Sequence, residues 1–166
     1  MAEALLITRD DLVRLTALGG NVDTDKFIQF IKVAQDIHIQ GYLGTNLLYK
    51  IKQDIEDDTL TDPYLTLLVK YIKPMLIHWA MVEYLPFAAY TIANKGVYKH
   101  SSENSENVDK AEVNYLVEKQ RDIAQHYTER FLTHMGTYSA IYPEYNTNSS
   151  GDMYPNTNNF FKGWYI

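Results

Sequence analysis

Two ionisable residues, His78 and Glu83, interrupt an apolar stretch and are the first candidates for chemistry in this sequence. Held in a pocket, such groups could transfer protons, because burial and neighbouring charges tune their pKa values. On a helix, a spacing of five residues separates two side chains by about 140°, so the two groups need not act together. The alternative interpretation, which the sequence favours, is that a polar group on a neighbouring helix or subunit pairs each of them.

The familiar signatures of catalysis and metal binding are absent from the sequence. It contains no glycine-rich phosphate loop, no H-E-x-x-H, no G-x-S-x-G and no EF-hand loop. The acidic run at residues 54–62 lacks the fixed ligand spacing of a calcium loop. There is no cysteine, and the five histidines (38, 78, 100, 126 and 134) form no i,i+3 or i,i+4 pair. The sequence therefore predicts a protein that is not an enzyme and needs no cofactor or metal.

The length and net charge of the chain limit its domain count and the kinds of partner it can bind. A chain of 166 residues with 46% hydrophobic residues is long enough for one domain with a real core. Its formal net charge of −6 argues against a protein that coats nucleic acid by neutralising phosphates.

Apolar residues recur at helical spacing, which predicts an all-α bundle of about five helices. Helix starts are indicated at Thr8, Thr24, Thr45, Pro63 and Asp109, because each is a residue type that caps or opens helices. Residues 99–109 are predicted to form an exposed loop.

The fourth predicted helix, from Pro63 to Gly96, is apolar on nearly every face. Pro74 and Pro86 are expected to kink or divide it. A transmembrane interpretation is disfavoured, because His78 and Glu83 would each cost roughly 2.5–3.5 kcal/mol near the bilayer centre. We therefore expect a helix buried within an assembly and no membrane partner.

Aromatic residues concentrate at the C-terminal end of the chain. Of the 22 aromatic residues, eight lie in residues 136–166, a segment rich in asparagine and poor in aliphatic residues. The composition predicts a helical domain at 1–135 and an extended interaction tail at 136–166 that orders on a partner. The alternative is a tail folded back over its own bundle. The candidate contact residues are Tyr138, Tyr142, Tyr145, Tyr154, Phe160, Phe161, Trp164 and Tyr165.

Three strings in the helical region carry a resemblance to a known family. They are F-I-K-V-A-Q-D-I-H-I-Q followed by Y-L-G-T-N-L (residues 30–47), Y-I-K-P-M-L-I-H-W-A (71–80) and I-A-N-K-G-V (92–97). Over residues 5–135 the sequence resembles the small helical head–tail connector proteins of tailed bacteriophages, of the type found in crAss-like phages. The matching residues are Gln35, Asp36, His38, Gln40, Tyr42, Leu43, Gly44, Thr45, Pro74, Trp79, Asn94, Lys95 and Gly96.

The resemblance implies a structural virion protein at the head–tail interface, assembled in the host cytoplasm. Such connectors form a ring of self-associated copies, usually a dodecamer, beneath the portal protein. They contact an adjacent tail or second ring protein, and DNA passes through the channel without sequence-specific binding. The alternative is a helical protein-interaction or scaffold module whose tail folds on binding.

Overall fold

The computed structural model describes residues 4–16, 24–88, 90–93, 96–99 and 109–158 of the 166. The predicted all-α bundle is confirmed, with one small β-hairpin added to it. The α-helices are α1 (Arg9–Leu15), α2 (Thr24–Ala34), α3 (Gln40–Leu43), α4 (Thr45–Glu56), α5 (Tyr64–Leu67), α6 (Lys73–Tyr84) and α7 (Lys110–Tyr138).

Two π-helical segments make longer helical runs out of these pieces. Gln35–Ile39 joins α2 to α3, and Leu68–Ile72 joins α5 to α6. The second segment immediately precedes α6, and Pro74 lies in the first turn of that helix. Proline has no N–H to donate, and a widened turn is one way in which a helical run accommodates that loss. The predicted irregularity at Pro74 thus takes the form of a change in helix type.

The fourth helix ends earlier than the sequence predicted. After α6 the chain makes a 3₁₀ turn, Leu85–Phe87, that contains Pro86, and the helical run stops there. Strands β1 (Tyr90–Ala93) and β2 (Gly96–Lys99) then pair antiparallel, with Ala93 opposite Gly96. The prediction of helix up to Gly96 is therefore wrong. The aromatic and β-branched residues of this stretch suit a strand as well as a helix face, and Pro86 decides against the helix. The predicted loop lies, apart from Lys99 and Asp109, outside the described residues.

Helix α6 forms the centre of the bundle. Seven of its residues are buried, and they cover its whole circumference: Met75, Leu76, Ile77, Trp79, Ala80, Met81 and Val82. Helices α2 and α7 pack along it, and α1 touches it. The run Tyr64–Phe87 is long and apolar enough to cross a membrane by length and composition alone, and 56% of its most apolar window is buried inside the bundle. That degree of burial is what a core helix would show.

Thr8 and Asp109 cap α1 and α7 as predicted, whereas Thr45 is the first residue of α4 and Gly44 holds its cap position. The hydroxyl of Thr8 accepts a hydrogen bond from the Asp11 N–H, and the Asp11 carboxylate accepts the N–H of Thr8. The same reciprocal arrangement joins Asp109 to Glu112 at the start of α7. Each pair satisfies backbone donors that the first turn of a helix leaves without partners.

Gln35 fixes the N-terminal segment to the bundle. Its side chain is fully buried in the first π-helical segment. The amide oxygen accepts the Leu6 N–H at 3.0 Å, and the amide nitrogen donates to the Ala4 carbonyl at 3.2 Å. Leu6 and Ile7 can therefore enter the core without leaving this stretch of backbone unpaired.

We predict that Gln35→Leu lowers the free energy of unfolding by about 1–3 kcal/mol, the cost of leaving a buried polar group unsatisfied. Chemical denaturation measures the loss, and amide hydrogen exchange should show it concentrated in residues 4–12. Gln29→Leu, at an exposed position of α2, is the matched control and should change little. Equal losses in the two variants would contradict the assigned role of Gln35.

Candidate interaction site

A line of polar contacts crosses the bundle from the first π-helical segment to α7. His38 donates from Nε2 to the Glu83 carboxylate at 2.8 Å, and its ring stacks on Trp79 with centroids 4.0 Å apart. The indole N–H of Trp79 donates to the Thr128 hydroxyl at 3.1 Å, and that hydroxyl donates to the Ala124 carbonyl. These contacts join three helical runs through the partly buried His38–Glu83 pair and the buried Trp79–Thr128 pair.

His78 is paired independently of Glu83. Its Nδ1 donates to the Gln120 side-chain oxygen of α7 at 2.9 Å, and its ring stacks parallel to Tyr127. The interpretation that neighbouring helices pair both residues is thus supported by the geometry. His78 and Glu83 therefore have separate partners on different elements.

The Y-L-G-T string forms a sharp turn between α3 and α4. Gly44 has φ +76° and ψ 160°, a backbone conformation essentially restricted to glycine. A Cβ at this position would lie 2.8 and 2.9 Å from the Cδ and Cγ atoms of Pro155. Gly44 is therefore required both by the turn and by the segment that crosses it.

That crossing segment is part of the predicted tail, and hydrogen bonds hold it on the turn. Asp152 accepts from the Thr45 hydroxyl at 2.9 Å and from the Gln40 amide at 3.2 Å. The Thr45 N–H donates to the Met153 carbonyl, and the Met153 N–H donates back to the Thr45 hydroxyl. The Asn156 N–H donates to the Gly41 carbonyl at 2.8 Å.

Asn46 adds a second point of attachment. Its amide nitrogen lies 3.0–3.1 Å from three acceptors: the Thr147 carbonyl and hydroxyl and the Ser149 hydroxyl. We call the whole arrangement the clasp, with residues 40–46 as its seat and residues 147–156 as the clasp segment.

The beginning of the predicted tail belongs to the core. Tyr142 and Tyr145 are buried, and Tyr145 packs edge-on against Phe131 of α7. Tyr64 donates to the Glu144 carboxylate at 2.6 Å. The prediction that Tyr142 and Tyr145 contact a partner is wrong, because both rings are buried in the core of their own chain. From residue 139 to residue 158 the tail folds back over the bundle, and α7 continues past the predicted boundary to Tyr138.

The other tail candidates divide into two groups. Tyr138 and Tyr154 are 49% and 64% exposed and remain available for contact. Phe160, Phe161, Trp164 and Tyr165 lie outside the described residues, as do Asn94 and Lys95 of the third string.

The remaining string residues have structural positions. Asp36 pairs with Lys32 at 2.6 Å, and Gly96 begins β2. Tyr42 packs against the core that Leu43 enters, and burial raises the pKa of the Tyr42 phenol. Each of these residues thus has a structural role within the chain.

Sequence reasoning missed the partners of the string residues. Asp152, Thr147, Gln120 and Thr128 complete the contacts, and nothing in their local sequence marks them. In the described part of the chain, no group of three or more His, Cys, Asp or Glu side chains is placed to hold a metal. The acidic run has structural contacts as well, since Lys50 pairs with Asp54 and Glu56 accepts the Ala4 N–H.

Comparison with known proteins gives one match. The sequence profile described as "Family of unknown function (DUF6712)" matches residues 39–154, more than two thirds of the chain. The chain belongs to the DUF6712 family. The DUF6712 match begins at the end of the first π-helical segment and stops within the clasp segment, so it includes both halves of the clasp up to Tyr154. No curated protein and no solved structure matches the chain.

We predict that Gly44→Ala lowers the free energy of unfolding by about 1–3 kcal/mol, because alanine is strained at this φ and ψ and its methyl group collides with Pro155. Limited proteolysis should cut residues 147–156 faster than in the wild type. Gly41→Ala is the control, since its Cβ meets nothing within 4 Å. A Gly44→Ala protein with wild-type stability and protease resistance would contradict this account of the turn.

Stability should also fall as pH falls below about 6.5. Burial lowers the pKa of His78 and of His134 from the model-peptide value of 6.5, so the unfolded chain binds protons first. The penalty is absent above pH 6.5 and grows as pH drops toward the folded-state pKa values. Urea denaturation at pH 7.5 and 5.5 should show a smaller loss for His78→Gln than for the wild type. His126→Gln, at an exposed position of α7, should retain the wild-type loss, and an unchanged loss in His78→Gln would contradict the prediction.

Proposed function

We propose that this DUF6712 protein is a structural subunit of a phage head–tail connector ring. In this role copies of the chain form a ring under the portal protein, join the capsid to the tail and surround the DNA channel. The observation that carries the proposal is the Q-D-x-H-I-Q-x-Y-L-G-T string, the most specific part of the resemblance to phage connectors. Its residues hold both ends of the described chain, the N-terminal segment through Gln35 and the C-terminal segment through Gln40 and Thr45.

Exposed apolar side chains favour a function that depends on contact with other proteins. Large apolar side chains are exposed on several helices and on the clasp segment. Those more than half exposed are Leu15, Ile37, Tyr49, Val69, Phe87, Tyr115 and Tyr154. Leaving such groups in water is unfavourable, and covering them on association would be favourable. A ring would cover part of this surface at each contact between copies.

The last eight residues retain the role proposed for the whole tail. Phe160, Phe161, Trp164 and Tyr165 follow directly after the clasp segment, and aromatic residues of this kind anchor interfaces. We infer that residues 159–166 contact the portal, an adjacent ring protein or a neighbouring copy. A helical scaffold module that binds another protein would use the same residues and is the alternative function.

The purified protein should form closed homo-oligomeric rings under native mass spectrometry and negative-stain electron microscopy, and it should be present in phage particles by peptide mass spectrometry. A strictly monomeric protein that is absent from particles would contradict the connector proposal. Binding of a non-virion protein by such a monomer would favour the scaffold module instead.

Replacing Phe160, Phe161, Trp164 and Tyr165 together with serine should leave the helical circular dichroism and melting temperature unchanged but weaken portal binding or assembly at least tenfold. The control replaces Asn158 and Asn159 with serine and should assemble normally. Full assembly and portal binding by the four-serine variant would show that the aromatic end is dispensable.

A further inference from the structure

The clasp segment is attached in a different way from the chain that precedes it. Tyr142 and Tyr145 anchor the preceding turns in the core. In residues 147–156, by contrast, every residue except Asn148 and Pro155 is exposed. Its hydrogen bonds to the seat lie at the surface, where each contributes modestly to stability. The segment is therefore specifically positioned but weakly held, as expected of an element that can exchange.

A turn separates the anchored part from the clasp segment's contact with Thr45. The Gly151 N–H donates to the Asn148 carbonyl, and Gly151 has φ +69° with open space where a Cβ would lie. If this turn opened, the four residues 148–151 could span roughly 13 Å in extended form. Opening it would move Asp152, Met153 and Pro155 away from the bundle without disturbing the Tyr145 anchor.

Exposed apolar side chains border the clasp on both sides. Met153 and Tyr154, in the segment itself, are 46% and 64% exposed. Tyr49, 64% exposed, shares a surface groove with Gln40 and Thr45 of the seat. Ile37, 62% exposed, precedes Gly41 by about one helical turn. The polar contacts of the clasp thus have an apolar border that is about half exposed, an arrangement suited to an interface between proteins.

We propose that the end of the clasp segment is exchanged between copies: residues 152–156 of one copy occupy residues 40–45 of the seat of the next. This inference rests on the proposed ring. Exchange needs no new recognition chemistry, because the Asp152–Thr45, Met153–Thr45 and Asn156–Gly41 contacts form equally well between two identical chains. Donation of the segment from each copy to the next is a head-to-tail contact, the kind that closes rings.

A copy can keep its own segment or donate it to a neighbour. Which arrangement is more stable depends on the free-energy contributions that differ between the two. The hydrogen bonds of residues 152–156 to the seat are the same in both, so their contributions cancel. Covering Ile37, Tyr49, Met153 and Tyr154 with a neighbouring copy favours the exchanged form, at roughly 25 cal/mol per Å² of apolar area buried. Association also costs translational and rotational freedom. An isolated copy therefore keeps its own segment, as in this structure, and assembly at high local concentration drives exchange.

The chain contains no cysteine, so single introduced thiols report the exchange directly. One variant carries Gly41→Cys, where a side chain has open space, and the other carries Asn156→Cys, whose backbone N–H bonds to Gly41. The two variants, one with an affinity tag that changes its mass, are mixed, assembled and oxidised. We expect covalent heterodimers on a non-reducing gel, because only a segment from one copy on the seat of another brings these two positions together.

The control pairs Gly41→Cys with Lys119→Cys, an exposed position on α7, and should give at least tenfold less heterodimer. Rings that form from the first mixture without covalent heterodimers would overturn the exchange and leave the connector proposal standing. A mixture that forms neither rings nor heterodimers would overturn both. Rings with abundant heterodimers in the first mixture alone would support exchange.

Discussion

The constraint on which the rest of this structure depends is that α6 is apolar on nearly every face. A helix with one apolar stripe needs one neighbour, whereas Met75, Leu76 and Ile77 are successive buried residues that point about 100° apart and require cover on several sides. Helices α2 and α7 pack along α6 and α1 touches it, and the core they build extends to the turns after α7.

Polar groups then decide how those helices are fixed against one another. Apolar packing alone tolerates sliding, but a buried amide or imidazole must find its partner at one position. Gln35 fixes the N-terminal segment, His38 joins the first π-helical segment to α6 through Glu83 and Trp79, and Thr128 joins α6 to α7. At the surface, the polar contacts of Thr45 fix the position of the clasp segment in the same way. Gln35, His38 and Thr45, which belong to the first string, thus each bond to a residue far away in the sequence.

Much of the fold could be predicted from local pattern. The helix starts at Thr8 and Asp109 follow from capping chemistry, and the buried character of α6 follows from its composition. The hairpin at Tyr90–Ala93 was missed because its residue types suit a strand as well as a helix face. The tail was misread at Tyr142 and Tyr145, because composition shows that a segment cannot fold alone but does not show which surface it folds against.

By itself, the sequence determined the helical class, the capped helix starts and the central apolar helix, because each depends on residues within a few positions of one another. Tertiary structure alone decided the partners of His78 and Glu83, the seat of the tail and the membership of Tyr142 in the core. Gln40 and Asp152 are separated by 112 positions and meet only because the bundle closes around α6. Such contacts depend on where packing brings distant segments together, and no local pattern encodes that.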